Sequence, residues 1–170
     1  GGDTTSIRID PEFKALIPPL SPEEFAQLEE NCVRDGVRDP LVMWKQDNGD
    51  SILIDGHNRY RICTKYGLPF STVEVELEDR NAVKVWMMKN QLARRNLTDF
   101  QRCEMVYAVS DAVKEEARKR QGIYYGNQYD GLMENLPEVQ KSTSRDILGS
   151  MAGVSGKTYE HAVKVMEQGT

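Results

Sequence analysis

Two hydrophobic periods divide this chain. Over the first hundred residues, short apolar runs and strict alternation intermix with helical spacing; from residue 96 onward only helical spacing remains. Ser6 to Asp10 alternates and stops at Pro11, which predicts a short strand with the proline outside it. Ala15 to Leu20 carries Pro18 and Pro19 and predicts an ordered loop. Ser21-Pro22-Glu23-Glu24 predicts a helix start, with Ser21 as cap, Pro22 in the first turn and Glu24 closing a capping box. Phe25, Leu28, Cys32 and Val33 form its apolar face and Gly36 ends it. Leu41 to Trp44 and Ser51 to Ile54 flank Asn48-Gly49, which predicts a hairpin. A helix follows to Tyr66, with Tyr60, Ile62, Cys63 and Tyr66 apolar, Gly67 at its C-cap and Leu68-Pro69 as a stop. Ser71 to Leu77 alternates Val73, Val75 and Leu77 against polar residues, as a half-exposed strand does. Asn81 to Ala93 returns to helical spacing with Val83, Val85, Trp86, Met88 and Leu92. The predicted order is β-α-β-β-α-β-α.

Thr98-Asp99-Phe100-Gln101 is a second capping box. It predicts one long helix to about Arg120, with Phe100, Met105, Val106, Ala108, Val109 and Val113 inward. Residues 121–142, with Tyr124, Tyr125 and Tyr129, predict an irregular surface segment; single-strand stacking on those tyrosines is the weaker reading. Thr143 to Ala152 predicts a short helix with Ile147, Leu148 and Met151 apolar. Gly153-Val154-Ser155 then turns the chain, and Ser155 caps a helix with Tyr159, Ala162, Val163 and Met166 on one face. Two short helices about a glycine turn match the helix-turn-helix pattern, in which the start of the second helix enters the major groove. Lys157, Thr158, His161 and Lys164 are therefore candidate DNA-binding residues, and an ordinary helical hairpin is the competing reading. The fold class expected is α+β: a small α/β domain over residues 5–95, then an all-α domain over 96–170 with the helix-turn-helix at about 143–168.

Composition changes this picture only in part. A chain of 170 residues with 39% hydrophobic and 29% charged residues reads as an ordinary globular protein. No apolar run approaches a membrane span and no secretory signal opens the sequence, so a cytoplasmic place without membrane partners is expected. Cys32, Cys63 and Cys103 are widely spaced and show no zinc pattern, which agrees with a reducing compartment and core packing. The net charge of -5 argues against a chain covered in nucleic-acid contacts. Residues 1–100 hold 13 Lys and Arg against 17 Asp and Glu, and residues 101–170 hold 9 against 10, so any DNA contact must come from a local patch.

The candidate chemistry is concentrated at Gly56-His57-Asn58-Arg59-Tyr60-Arg61, on the turn between a predicted strand and a predicted helix. Free backbone N–H groups and the helix dipole favour an anion there, and glycine allows close approach. Arg59 and Arg61 add charge; His57 and Asn58 add directional donors. A strand-to-helix turn with solvated polar residues is the plain alternative. On the first reading a phosphate, sulfate or nucleotide phosphate chain binds, with Gly56 and Arg59 essential. Affinity then rises as pH falls through about 6–7 and His57 charges.

This run resembles the ParB/sulfiredoxin-like superfamily, whose box reads G-E-R-R-x-R in ParB proteins and G-C-H-R in sulfiredoxins. Gly56, Arg59 and Arg61 fit the ParB form. A second stretch, Lys89 to Thr98, is similar to the box that closes the ParB N-terminal domain and keeps Arg94 and Leu97. With the helix-turn-helix, three boxes stand in the family's order. The resemblance implies double-stranded DNA as partner, in plasmid or chromosome partition or in regulation of a bacterial mobile element, with a partition ATPase as a further partner. It also implies a homodimer, formed in ParB proteins through a further C-terminal segment, so a fragment of a longer protein is expected. It implies CTP or another nucleotide at Gly56, Arg59 and Arg61, with Arg94 nearby.

The departures matter as much. His57 replaces the box glutamate, and Asn90-Gln91 replaces the Glu-Asn pair associated with the metal. Mg²⁺ prefers carboxylate and phosphate oxygens, so no metal site is expected and turnover should be slow or absent. Sulfiredoxin chemistry needs a cysteine where His57 stands, and a metal nuclease needs clustered carboxylates where only Asp55 lies. No catalytic residue is assigned. The second functional reading is a nucleotide-dependent, CTPase-like switch or enzyme with Gly56 to Arg61 as its active site.

Overall fold

Asp10 shows how local chemistry begins the fold. In this computed structural model, which describes residues 7–94, 96–125 and 137–169 (the side chains of 120–125 and 137–143 aside), strand β1 is only Ile7–Arg8. Asp10 then accepts hydrogen bonds from the Glu12 and Phe13 N–H groups and caps a helix, α1, over Pro11–Ala15. The sequence pattern reads this stretch as strand end and loop, because five residues are too few to show a helical period. Arg80 clamps Asp10 with two bonds of 3.1 Å and lies over the Phe13 ring.

The chain divides into two compact units, residues 1–83 and 84–170. The division falls inside helix α4 (Arg80–Arg94), whereas the hydrophobic pattern changes at residues 95–96, at the far end of the same helix. The first unit also holds α2 (Pro22–Asp35), β2 (Leu41–Lys45), β3 (Ser51–Asp55), α3 (His57–Tyr66) and β4 (Thr72–Val75). The capping box of α2 is present, with Glu24 N–H on Ser21 and Glu24 Oε1 accepting from Ser21 N–H. The four strands stand in the order β1-β3-β2-β4, with β1 parallel to β3, β2 antiparallel to β3 and β4 parallel to β2. The hairpin turns at Asn48-Gly49, where Gly49 takes φ +92° and its N–H bonds the Gln46 carbonyl.

β3 is buried at every position, and Leu41, Met43 and Leu53 form a core with Ile7, Ile9, Tyr60 and Phe70 packed on it. β4 is an edge strand, and Val73, expected to face inward, is 44% exposed. Val33 of α2 and Tyr66 of α3 also lie outside the apolar faces assigned to them from spacing.

The second unit is helical in all its described elements: the rest of α4, then α5 (Asp99–Ala108), α6 (Ser110–Tyr125), α7 (Pro137–Ala152) and α8 (Gly156–Gln168). Thr98 and Gln101 make the expected capping box. The single long helix expected from 98 to 120 is instead two, broken at Val109. Neither glycine nor proline marks that break, so spacing could not reveal it. Val109, Ala112 and Val113 are buried, while Ala108 and Phe100, expected inward, are exposed. Of the stretch expected to be irregular, residues 121–125 belong to α6 and 137–142 to α7, which begins at Pro137 rather than Thr143; the residues between lie outside the described ones. Tyr129 lies outside the described residues. The class is α+β, as the pattern predicts.

Candidate functional site

The turn between β3 and α3 is built on two constraints. Gly56 has φ +100°, and a Cβ there would stand 2.5 Å from Leu41 Cδ2 and 3.1 Å from Arg59 Nη2. Only glycine meets both the left-handed backbone and the missing space. No side chain caps the start of α3, and Tyr60 is the first residue whose N–H turns back into the helix, on the Gly56 carbonyl.

Arg59 points into the protein. Its Nη1 donates to the Asp39 carbonyl at 2.8 Å and its Nη2 to Asp55 Oδ2 at 3.4 Å, with the Arg59 and Asp55 side chains 13% and 4% exposed. The guanidinium therefore ties the turn to the segment before β2. In this geometry it is not a bidentate clamp open to an external anion. Arg61 is exposed, with its guanidinium 5.0 Å from the Phe25 ring centre.

A cleft of about 470 Å³ runs beside α3. Lys14, Arg61 and Lys65 supply positive charge, Asn58 and Thr64 supply polar groups, and Ile9, Tyr60 and His57 complete the wall. Lys65 is also paired with Glu29 at 3.2 Å. Sequence reasoning missed Lys14 and Lys65. Lys65 stands four residues after Arg61, on the same helix face, so spacing could have found it. Lys14 belongs to the short helix that the pattern did not show.

His57 behaves differently from the sequence expectation. Burial pushes its pKa from 6.5 down to about 4, against a smaller opposing effect of Asp55. Neither Nδ1 nor Nε2 has a hydrogen-bond partner among the described residues. The ring is neutral at pH 6–7, so the expected gain of anion affinity in that range is corrected: protonation comes only near pH 4. The three cysteine thiols are free and buried, and burial raises each pKa. Arg94 ends α4 in the second unit and is exposed; its neighbour Arg95 lies outside the described residues.

In the second unit, Tyr159 and Ala162 of α8 are buried, while Lys157, Thr158, His161 and Lys164 are all exposed. Ser155 Oγ accepts from Thr158 N–H at 3.1 Å and donates to Thr158 Oγ1 at 2.9 Å. Thr158 keeps its own hydroxyl hydrogen for another acceptor. The turn before α8 closes α7 through Gly153, at φ +76°, with Gly153 N–H on Ser150 and Val154 N–H on Gly149. Arg102 of α5 donates to the Ala152 carbonyl at 2.8 Å and covers the same helix end. Burial pushes the Tyr159 phenol up to about 12.

No family model matches this sequence, and no curated protein matches it. Among solved structures, the fold matches that of a pNOB8-like ParB N-domain with a TM-score of 0.60 at 18% identity, over 94% of this chain and 61% of that one. The chain has a ParB N-domain fold. A second crystal form, the C2221 form of a Pnob8-like ParB-N domain, gives 0.59 at 19% identity, over 90% of this chain and 62% of that one. The chain thus spans about three fifths of the length of these ParB N-domain structures. The C-terminally truncated partitioning protein ParB from Caulobacter crescentus, complexed with CTP-gamma-S, matches with a TM-score of 0.44 at 13% identity, over 95% of this chain and 74% of that one, too weak a likeness to bear on ligands. In the ParB N-domain fold seen here, the Gly56 box lies on the turn from β3 into α3, and two helices about a glycine turn form the last described elements.

Proposed function

We propose that this chain is a ParB-type protein that binds double-stranded DNA through α8, in plasmid or chromosome partition or in regulation of a mobile element. The observation that carries the reading is the exposed set Lys157, Thr158, His161 and Lys164, opposite the buried Tyr159 and Ala162. Lysine meets phosphate or a guanine edge, and threonine meets phosphate or a thymine methyl. On this reading α7 and α8 form the helix-turn-helix, the protein acts in the cytoplasm as a homodimer, and a partition ATPase is its further partner. The experiment is titration of duplex DNA from the native locus into wild type and Lys157→Ala. Affinity should fall by roughly 1–3 kcal/mol if Lys157 reads a base, and by less if it touches only phosphate. Unchanged affinity in a folded variant would leave α7 and α8 as a structural hairpin.

The second reading is a nucleotide-dependent switch, favoured by the cleft that Lys14, Arg61 and Lys65 line beside the start of α3, which no side chain caps. A phosphate or nucleotide phosphate chain such as CTP fits that charge. Contact then comes from Asn58, Arg61, Lys14 and Lys65, with Gly56 and Arg59 holding the turn and neutral His57 in the wall. Arg94 remains a candidate for the same ligand. With His57 where the box glutamate stands, binding on this reading should depend little on Mg²⁺ and turnover should be slow or absent.

A further inference from the structure

The exposed side of α8 is bordered by an acid. Glu160 comes three residues after Lys157 and four before Lys164, so it neighbours both on the helix surface. Its side chain is 45% exposed, and Arg145 of α7 donates to its Oε2 through Nη1. That bond, helped by the charges of Arg145 and Lys164, holds the carboxyl below the usual range. Arg145 is in turn packed under the start of α8. A Cβ on Gly156 would fall on Asp146 Oδ1 and stand 3.2 Å from Arg145 Nε and 3.3 Å from its Cγ, so the two helices approach closely there and a second carboxylate of α7 lies at the start of α8.

A carboxylate beside a groove of phosphates is repelled unless its charge is cancelled, and Arg145 cancels it. A carboxylate also only accepts hydrogen bonds, and the major-groove donor that suits it is the 4-amino group of cytosine. We propose that Glu160 reads a cytosine in the major groove, with Arg145 neutralising its charge and fixing its direction. This rests on α8 being the DNA-reading helix, and makes Arg145 a positioning residue.

The test is selection from duplexes carrying a randomised segment, with wild type, Glu160→Gln and Glu160→Asp, and thermal melts to check folding. Wild type should enrich sites with one invariant C·G pair, and changing that pair should lower affinity about tenfold or more. Glu160→Gln should lose this discrimination while its affinity for unrelated duplex keeps the same salt dependence. Glu160→Asp keeps the charge but shortens the reach; it should lose discrimination too, and it carries the test if the glutamine variant does not fold. The same pair selected with undiminished discrimination by the variants would overturn the proposal and leave Glu160 as a tie between α7 and α8. A wild type that selects a site without an invariant cytosine would overturn it as well, with DNA binding intact. A wild type that binds no duplex at low salt would overturn the DNA reading itself.

Discussion

At Gly56, a φ of +100° and the Leu41 methyl leave no room for a side chain, and Arg59 is drawn inward to Asp55 and Asp39. Both residues that sequence reasoning made essential for an anion hold the turn first. Gly56→Ala should cost roughly 1–3 kcal/mol of stability from backbone strain alone. Arg59→Ala removes one partner of a carboxylate that is 4% exposed, together with the donor to the Asp39 carbonyl, and should cost roughly 1–3 kcal/mol. Arg61→Ala and Lys14→Ala, at exposed positions, should leave the melting temperature unchanged and weaken sulfate and CTP binding in calorimetric titration. A box that loses anion affinity only when it also loses stability would count against the cleft as a binding site.

His57 carries a separate pH dependence. Between pH 6.5 and about 4 the unfolded chain binds a proton at this ring that the folded chain refuses. Its contribution to stability is therefore present above pH 6.5 and is lost as pH falls towards 4. Asp10 is held down by Arg80 and adds acid sensitivity of its own, so the comparison must be made against a variant. His57→Gln should flatten the fall in melting temperature between pH 6.5 and 4 relative to wild type. Equal slopes in both proteins would show that the ring is solvated.

The turn between α7 and α8 is the element on which the DNA reading depends, and three small residues make it. A Cβ on Gly149 would come 2.8 Å from the Ser155 carbonyl oxygen, Gly153 needs φ +76°, and Ser155 caps α8. Gly153→Ala and Ser155→Ala should each cost about 1 kcal/mol. Gly149→Ala should cost more, because it forces the two helices apart rather than straining one residue. Denaturant midpoints at constant slope would check the order. Sequence spacing reads this element well, since a glycine, a cap and two apolar faces are all local signals. It reads α5 and α6 poorly, because the break at Val109 carries no such signal.

The whole chain carries a net charge of -5, which does not attract DNA at long range. On the DNA reading, duplex binding rests on a few contacts of α8, and its salt dependence should be shallow. Each phosphate contact adds roughly 0.9 to the slope of log affinity against log salt, so Lys164→Ala should lower that slope by about 1 if the residue meets a phosphate. A slope unchanged by Lys157→Ala and Lys164→Ala together would remove α8 from the interface. At this scale the two units also explain a difference in boundary. The pattern of apolar residues changes at 95–96, where strand-like spacing has ended and a new capping box begins. The compact units part at 83–84, because most of α4 belongs to the helical unit.

What the sequence alone determined was local: caps at Ser21, Thr98 and Ser155, the hairpin at Asn48-Gly49, the glycine turn at 153, the strand-to-helix box, and with them the α+β class and most of the element order. Each of these is set by a few neighbouring residues whose backbone preferences need no distant partner. Only tertiary structure decided which way the box arginine points, since Asp39 lies 20 residues away from Arg59 in sequence. Only tertiary structure brought Lys14 beside Arg61 and Lys65, and only burial made His57 a neutral ring. The same holds for Arg145 on Glu160, 15 residues apart on two helices. A side chain's charge state and direction depend on what the rest of the chain packs around it, and no local pattern contains that.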